Sequence, residues 1–422
     1  MERFVDRRIG VVICFLLTLV EKMRCLIWGN APLPPVKRIL FIKPVEQGAL
    51  VLACGAINHA VEKVGRDNVF VFVFQKNRTI VDILDVIPPE NVITARDDGL
   101  LTFSLDMGAA FLRMWRLRID TAVDLEIFAR ISIIIAWFSG ARRRVGLHRF
   151  NMEGPYRGAL VTHRIQYNPY LHTAQAFDTF LRAAFAEPKE APLLKELPQR
   201  VPTALPRFKP DKETLERMEK LLEEALGGPS GKDRPWPVFL FNPKCIDELP
   251  ARKWPDACYV ALGKLLLEKW PTGRILIVGL EHEKHLCASM AVAIDPEKAR
   301  SLAGKMNLRT LVALMTRCDV LVSSDSGPAH FAALTNIAGV VFFGPETPAL
   351  YSPLSERLRV MYLGLACSPC YSPMNYRLSP CRDNQCLQRI TPHSVCAVIE
   401  DILDAPSNVD IARKDNDDSL FR

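Results

Sequence analysis

From Arg38 onward the chain alternates short apolar runs with segments of helical spacing, and it does so twice. The first set of runs is RILFIKP, NVFVFVF, NVIT and IDTAVDL. Between them lie helix-period stretches such as LVLACGAINHAVEKVG and LLTFSLDMGAAFLRMWRLR. A proline-rich stretch, PQRVPTALPRFKP (198–210), interrupts the pattern, and a second set follows: PVFLFNP, RILIVGL, VLVSS and GVVFFG. Strands that alternate with helices require crossover connections, hence parallel sheets covered on both faces. With 422 residues the chain has room for two such cores. The reading is α/β, two doubly wound domains facing a cleft, with ligands bound beyond the C-terminal strand ends.

Segment by segment, residues 1–35 read as an apolar helix and linker, 36–205 as the first domain, 206–404 as the second, and 405–422 as a disordered polar tail. The apolar core of the first segment, Ile9 to Val20, follows Arg7 and Arg8 and is cut off by Glu21, Lys22 and Arg24. It falls short of the ~20 residues a spanning helix needs and has no small-residue cleavage site. The expectation is a helix lying in the membrane interface, with Trp28 near the boundary and basic residues at headgroup level. Packing on the protein's own surface is the alternative. A formal charge of +7 suits anionic ligands or an anionic membrane surface, and no interleaved basic and aromatic stripe points to nucleic acid. Twelve cysteines in a chain this long read as reduced thiols of a cytoplasmic protein, peripheral on the inner face of the membrane.

The motif stretches are FNP, GLEHE, SSDSGPAH and FGPETP, each at a C-terminal strand end of the second set. In a parallel sheet such ends converge on one pocket. GGPSGKD (227–233) lacks a preceding strand and the Ser or Thr of a phosphate loop, so it is an ordinary loop. Cys367, Cys370, Cys381 and Cys386 have spacing that would hold zinc, or they form a reduced cluster that folds the loop. ARRRVGLHR gathers Arg142, Arg143, Arg144, His148 and Arg149, which reads either as a solvated loop or as a contact for anionic groups.

SSDSGPAHFAALTNIAGVVFFGPETPALYSP, followed by CSPC and two further cysteines, resembles glycosyltransferase family 9, the ADP-heptose:lipopolysaccharide heptosyltransferases and their relatives. RILFIKPVEQGALVLACGAI resembles the family's first strand and glycine loop, and RKWPDACYVAL its K-x-W-P helix start. The resemblance spans residues 38 to 404. It implies a GT-B fold of two Rossmann-like domains and an inverting, metal-independent transfer from an ADP-sugar to a lipid-linked saccharide, with the nucleotide-sugar as substrate and no cofactor. A catalytically inactive relative that binds nucleotide-sugar or glycolipid is the alternative. By resemblance, Asp325, Ser326, Gly327 and His330 hold the donor diphosphate. Arg252, with Lys253 as rival, neutralises phosphate, and Glu283, with Glu281 as rival, meets the ribose or adenine. Gly48, Arg143 and Arg144 are the acceptor-binding candidates. The family's glycine loop carries an aspartate as base, but here Ala49 occupies its place. Glu46, three residues earlier, is the replacement expected as base, and His59 is a weaker rival.

Overall fold

A computed structural model describes residues 2–29, 32–151, 155–198, 205–228, 230–231, 234–243, 249–375 and 377–404. The tail at 405–422 and part of the 198–210 stretch lie outside the described residues. Two compact units emerge, the first from residues 1–208 with 346–354 and 370–380, the second from 209–345 with 355–369 and 381–422.

The first unit runs α1 (Glu2–Trp28), β1 (Ile39–Ile42), α2 (Gln47–Val64), β2 (Val69–Phe74), α3 (Arg78–Leu84), β3 (Val92–Ala95) and α4 (Leu100–Arg116). It continues with β4 (Thr121–Asp124), α5 (Ile131–Phe138), β5 (Arg143–Leu147), β6 (His163–Ile165) and α6 (Thr173–Phe185). Its six strands lie in the order β3-β2-β1-β4-β5-β6, with parallel pairing throughout. β1 and β2 are wholly buried runs of Ile, Leu, Val and Phe, as a two-sided sheet demands. The strand order reverses between β1 and β4, which Ile42 opposite Asp124 brings into register.

The second unit runs α7 (Lys212–Leu226), β7 (Val238–Asn242), α8 (Asp256–Lys269), β8 (Arg274–Ile277), α9 (Lys284–Ile294), β9 (Ala299–Ser301), α10 (Leu308–Met315), β10 (Val320–Ser324), α11 (Gly327–Ala332) and β11 (Ala338–Phe342). The short α12 (Pro348–Tyr351) belongs to the first unit. β12 (Leu358–Met361), α13 (Gln385–Gln388) and α14 (Pro392–Asp404) complete the second. Its sheet is also parallel, in the order β12-β11-β10-β7-β8-β9, and reverses between β10 and β7. The two doubly wound sheets are the expected fold class. β5, β6, β9 and β12 escaped the sequence reading. Three of them have three or four residues, and β5 carries two arginines.

α1 is built into the first unit. Asp6 accepts hydrogen bonds from the Arg130 and Ile131 backbone amides at 2.7 and 3.1 Å, so it caps the start of α5, and its carboxylate pairs with the Arg130 guanidinium at 3.2 Å. Thr18 accepts from the Ala159 amide at 3.0 Å. The adjoining Gly158 has φ +57°, and a Cβ there would fall 1.9 Å from Thr18 Oγ1, so glycine is required on both counts. Glu21 pairs with buried Arg144 at 2.9 Å and accepts from Trp137 Nε1 at 3.2 Å. Among the described residues no helix is long and apolar enough to cross a membrane.

Candidate functional site

In each unit the charged and hydroxyl side chains collect where the strand order reverses, the position at which parallel sheets open a crevice for ligands.

In the second unit, β10 ends in Ser323 and Ser324, and the next residues turn into α11. Asn242, at the end of β7, donates through Nδ2 to Ser323 Oγ at 2.9 Å and Ser326 Oγ at 2.8 Å. Arg252 reaches the same loop, with Nη2 2.7 Å from Asp325 Oδ2 and 2.5 Å from the Asp325 carbonyl oxygen. Both partners are buried. Tyr259 donates to the Asn242 carbonyl at 3.2 Å, which fixes the end of β7. Pro328 stands in the first turn of α11, where its missing N–H costs little, and His330 is buried in the next turn. The expected Arg252, Asp325, Ser326, Gly327 and His330 therefore meet at one loop. Lys253 instead pairs with Asp256 at 2.6 Å. Glu283 is buried, and Oε2 accepts from the Leu280 amide at 2.6 Å, so that oxygen is turned back on its own turn. Glu281 is exposed and pairs with Lys284.

In the first unit, Lys43 follows β1 and is buried. Its Nζ lies 2.8 Å from Glu126 Oε2, beyond β4, and 3.0 Å from Glu46 Oε2. Glu46 Oε1 accepts from Arg377, whose Nε lies 2.7 Å from Glu346 Oε1. The Arg377 guanidinium stacks 4.0 Å from the Phe128 ring. Glu46 adopts φ 69°, an uncommon backbone for a residue other than glycine, immediately before α2. Burial alone would push the Glu46 carboxyl up, but the Arg377 and Lys43 charges outweigh it and hold the group below the usual carboxylate range. Burial pushes the Glu126 and Asp124 carboxyls up, against the pull of Lys43 and Arg157 respectively.

Those contacts bear on the catalytic expectation for Glu46. Both of its oxygens are engaged by cations, and a carboxylate held firmly ionised is a weak proton acceptor. In this arrangement Glu46 acts as a counter-ion that ties the loop down. Gly48 and Ala49 form the first turn of α2, partly exposed. His59 is bound to Asp178 across α2 and α6, with 2.8 Å between Nδ1 and Oδ1.

The acceptor role expected of Arg143 and Arg144 is corrected. Both lie inside β5, buried. Arg143 donates to the carbonyls of Pro34, Ala184 and Ala186, and Arg144 to those of Leu160 and Ala141 and to Glu21. Donors spent on the interior are not offered to a substrate phosphate. For the cysteines, no group of three or more His, Cys, Asp or Glu side chains suited to a metal occurs among the described residues. The described cysteines form no disulfide.

Sequence reasoning passed over Lys43, Glu126, Glu346 and Arg377. A lysine and a glutamate directly after buried apolar runs are a local signal that was available. Arg377 lies 331 positions from its partner Glu46 and gives none.

A family model described as glycosyltransferase family 9 (heptosyltransferase) matches residues 130–377. The lipooligosaccharide heptosyltransferase 2 of Haemophilus influenzae is 31% identical over 137 residues, 32% of this chain and 36% of that one. The lipopolysaccharide heptosyltransferase 2 of Escherichia coli is 32% identical over 101 residues, 23% and 28% of the two chains. The chain thus spans about a third of the length of these curated relatives. Among solved structures, the E. coli ADP-heptose LPS heptosyltransferase II superposes with a TM-score of 0.64 at 18% identity, covering 87% of this chain and 98% of that one. A family 9 glycosyl transferase from Veillonella parvula gives 0.66 at 16% identity, over 89% and 99%. These two likenesses establish the GT-B type of fold.

Proposed function

Because the chain belongs to glycosyltransferase family 9, we propose that it moves a heptose-like sugar from an ADP-sugar to a lipid-linked saccharide such as a lipopolysaccharide core, inverting the anomeric carbon. The observation that carries this reading is the loop at the second unit's strand reversal, where Asn242, Arg252, Asp325 and Ser326 are bound to one another. Transfer makes the diphosphate more negative as it departs. A cation already fixed beside the loop stabilises that charge without reorganising. Asp325 holds Arg252 in place for this task, and Ser326, Gly327 and His330 contact the diphosphate. Glu283 sits towards the donor ribose.

The first unit receives the acceptor at the loop of Gly48 and Ala49. An acceptor hydroxyl must lose its proton as it attacks, and Ala49 cannot take it. Glu46 serves as base once an anionic acceptor draws one of its two cations away. The acceptor's lipid places the reaction on the anionic inner face of the cytoplasmic membrane, with α1 in contact.

The test is transfer from ADP-heptose to a set of heptose-deficient core acceptors, followed by ADP release and product mass. Turnover that falls at least ~10-fold in Asp325→Asn supports the reading, whereas a rise in Ala49→Asp would move the base from Glu46 back to the family position. Absence of ADP binding, or of ADP release with every acceptor, would sink it.

A further inference from the structure

α1 is amphipathic in the opposite sense to a helix on a water-soluble surface. Such a helix buries its large apolar residues and shows polar ones. Here the buried line is Gly10, Cys14, Thr18 and Glu21, small or polar, while Ile9, Leu16, Met23, Leu26, Ile27 and Trp28 are each at least half exposed. α4 leaves Leu101, Leu105, Leu112 and Trp115 outside in the same way and buries Met107, Ala110 and Met114.

α5 joins the two helices into one layer. Its Trp137 donates to Glu21 of α1. Its Phe138 carbonyl accepts from Trp115 Nε1 of α4 at 2.8 Å, and its ring lies 5.3 Å from Phe111. All three helices contribute to one apolar core on one side of the sheet. Of the 26 large apolar side chains exposed among the described residues, 16 belong to this layer. A patch of that extent marks an interaction surface.

The charges say what covers it. Asp6 and Glu21 of α1 face buried Arg130 and Arg144, and Asp106 of α4 is held by Arg96. Arg8 and Lys22 on α1, with Arg113 and Arg116 on α4, remain exposed, as does Arg24, which shares Glu21 with Arg144 at 2.9 Å. An apolar face rimmed by cations complements anionic headgroups, and it repels a second copy of itself.

We propose that the outer faces of α1 and α4 form a single docking plane for an anionic lipid bilayer, on which the first unit lies without crossing. The proposal rests on the lipid-linked acceptor assigned above and deepens it by naming the surface. It assigns half of the contact to α4. The ties of Asp6, Thr18 and Glu21 prevent α1 from swinging as a loose anchor, so the plane is fixed relative to the first sheet.

The experiment is co-sedimentation of the full chain with vesicles of phosphatidylglycerol and phosphatidylethanolamine, against pure phosphatidylcholine. The expected result is salt-sensitive binding to the anionic vesicles. Leu101→Glu with Leu105→Glu in α4, and separately Leu16→Glu with Ile27→Glu in α1, should each weaken it at least ~10-fold with unchanged ADP affinity and melting temperature. Anionic-vesicle binding that the α4 pair leaves intact would overturn the proposal. So would a lipid-free dimer that the same variants disperse. Transfer to a delipidated, water-soluble acceptor is read in parallel. Its absence counts against the assigned activity, whereas vesicle binding needs neither donor nor acceptor.

Discussion

Replacing Glu46 by Gln keeps the side chain's size and removes a charge that two cations share. Lys43 keeps Glu126 at 2.8 Å, and Arg377 keeps Glu346 at 2.7 Å, so neither cation is left alone. Breaking a fully buried pair costs about 3–5 kcal/mol, whereas exposed pairs contribute about 1 kcal/mol or less. The Glu46 side chain is 27% exposed and each cation retains a second carboxylate, which places the loss at about 1–3 kcal/mol. Urea unfolding at neutral pH reads it directly. Arg377→Leu should cost more, because it also takes the cation from buried Glu346 and the stack from Phe128, and the double variant less than the sum, because the two changes share the Glu46–Arg377 pair. The pH dependence has a definite sign. The folded carboxyl titrates below its ordinary 4.5, so its contribution is complete above that pH and drains away as acid protonates it. The stability gap between wild type and Glu46→Gln should therefore close on the acid side of pH 4.5. Equal stability of the two proteins across this range would refute the counter-ion argument, whereas a ~10²-fold loss of turnover in the variant is the separate outcome expected of Glu46 as base.

Three further outcomes follow from the same geometry. Asp325→Ala should destabilise the second unit by at most about 3–5 kcal/mol, since it removes the carboxylate paired with buried Arg252 but leaves the backbone carbonyl that Arg252 also reaches, and should weaken ADP binding by calorimetry. Burial raises the Glu21 carboxyl, but Arg24 and Arg144 outweigh it and hold it at about 2, so the stability that Glu21→Gln forfeits at pH 7 should vanish between pH 4.5 and 2. Burial, aided by Arg143, depresses His163 from 6.5 to about 4, so folding favours its neutral form. Stability should fall by up to about 1.4 kcal/mol per unit as pH drops through that window, and a His163→Gln variant that still folds should lose this slope.

The strands that run deep in both sheets were legible because a two-sided parallel strand is an unbroken apolar run, and VFVFVF and VFLFN have no other use for such residues. β5 was opaque for the reverse reason. Two adjacent arginines look solvated in a sequence, and only a distant glutamate on α1 and carbonyls from three separate segments make them interior residues. The donor loop was legible as a motif because its members sit within a few residues of a strand end. Arg252 was expected there from the resemblance of RKWP, and FNP from its place at a strand end, but that Asn242 and Arg252 bond to this loop in particular depends on the order β10-β7, which no local pattern encodes. The N-terminal segment was half legible. Its apolar character was plain, but that its small and polar line would face inward depended on Gly158 and Arg144 more than a hundred residues away.

Residues 346–354 and 370–380 belong to the first unit although the whole second sheet precedes or surrounds them in the chain. On a ribosome, where chains emerge from the N-terminus, the first unit would be held incomplete until nearly all of the protein had been made. Lys43 and Glu46 would wait, beside an already formed β1, for an arginine that is translated 331 residues after Glu46. The domain that begins first is thus completed only after most of the second has been made, and a chain stopped at residue 208 would leave Glu46 without Arg377.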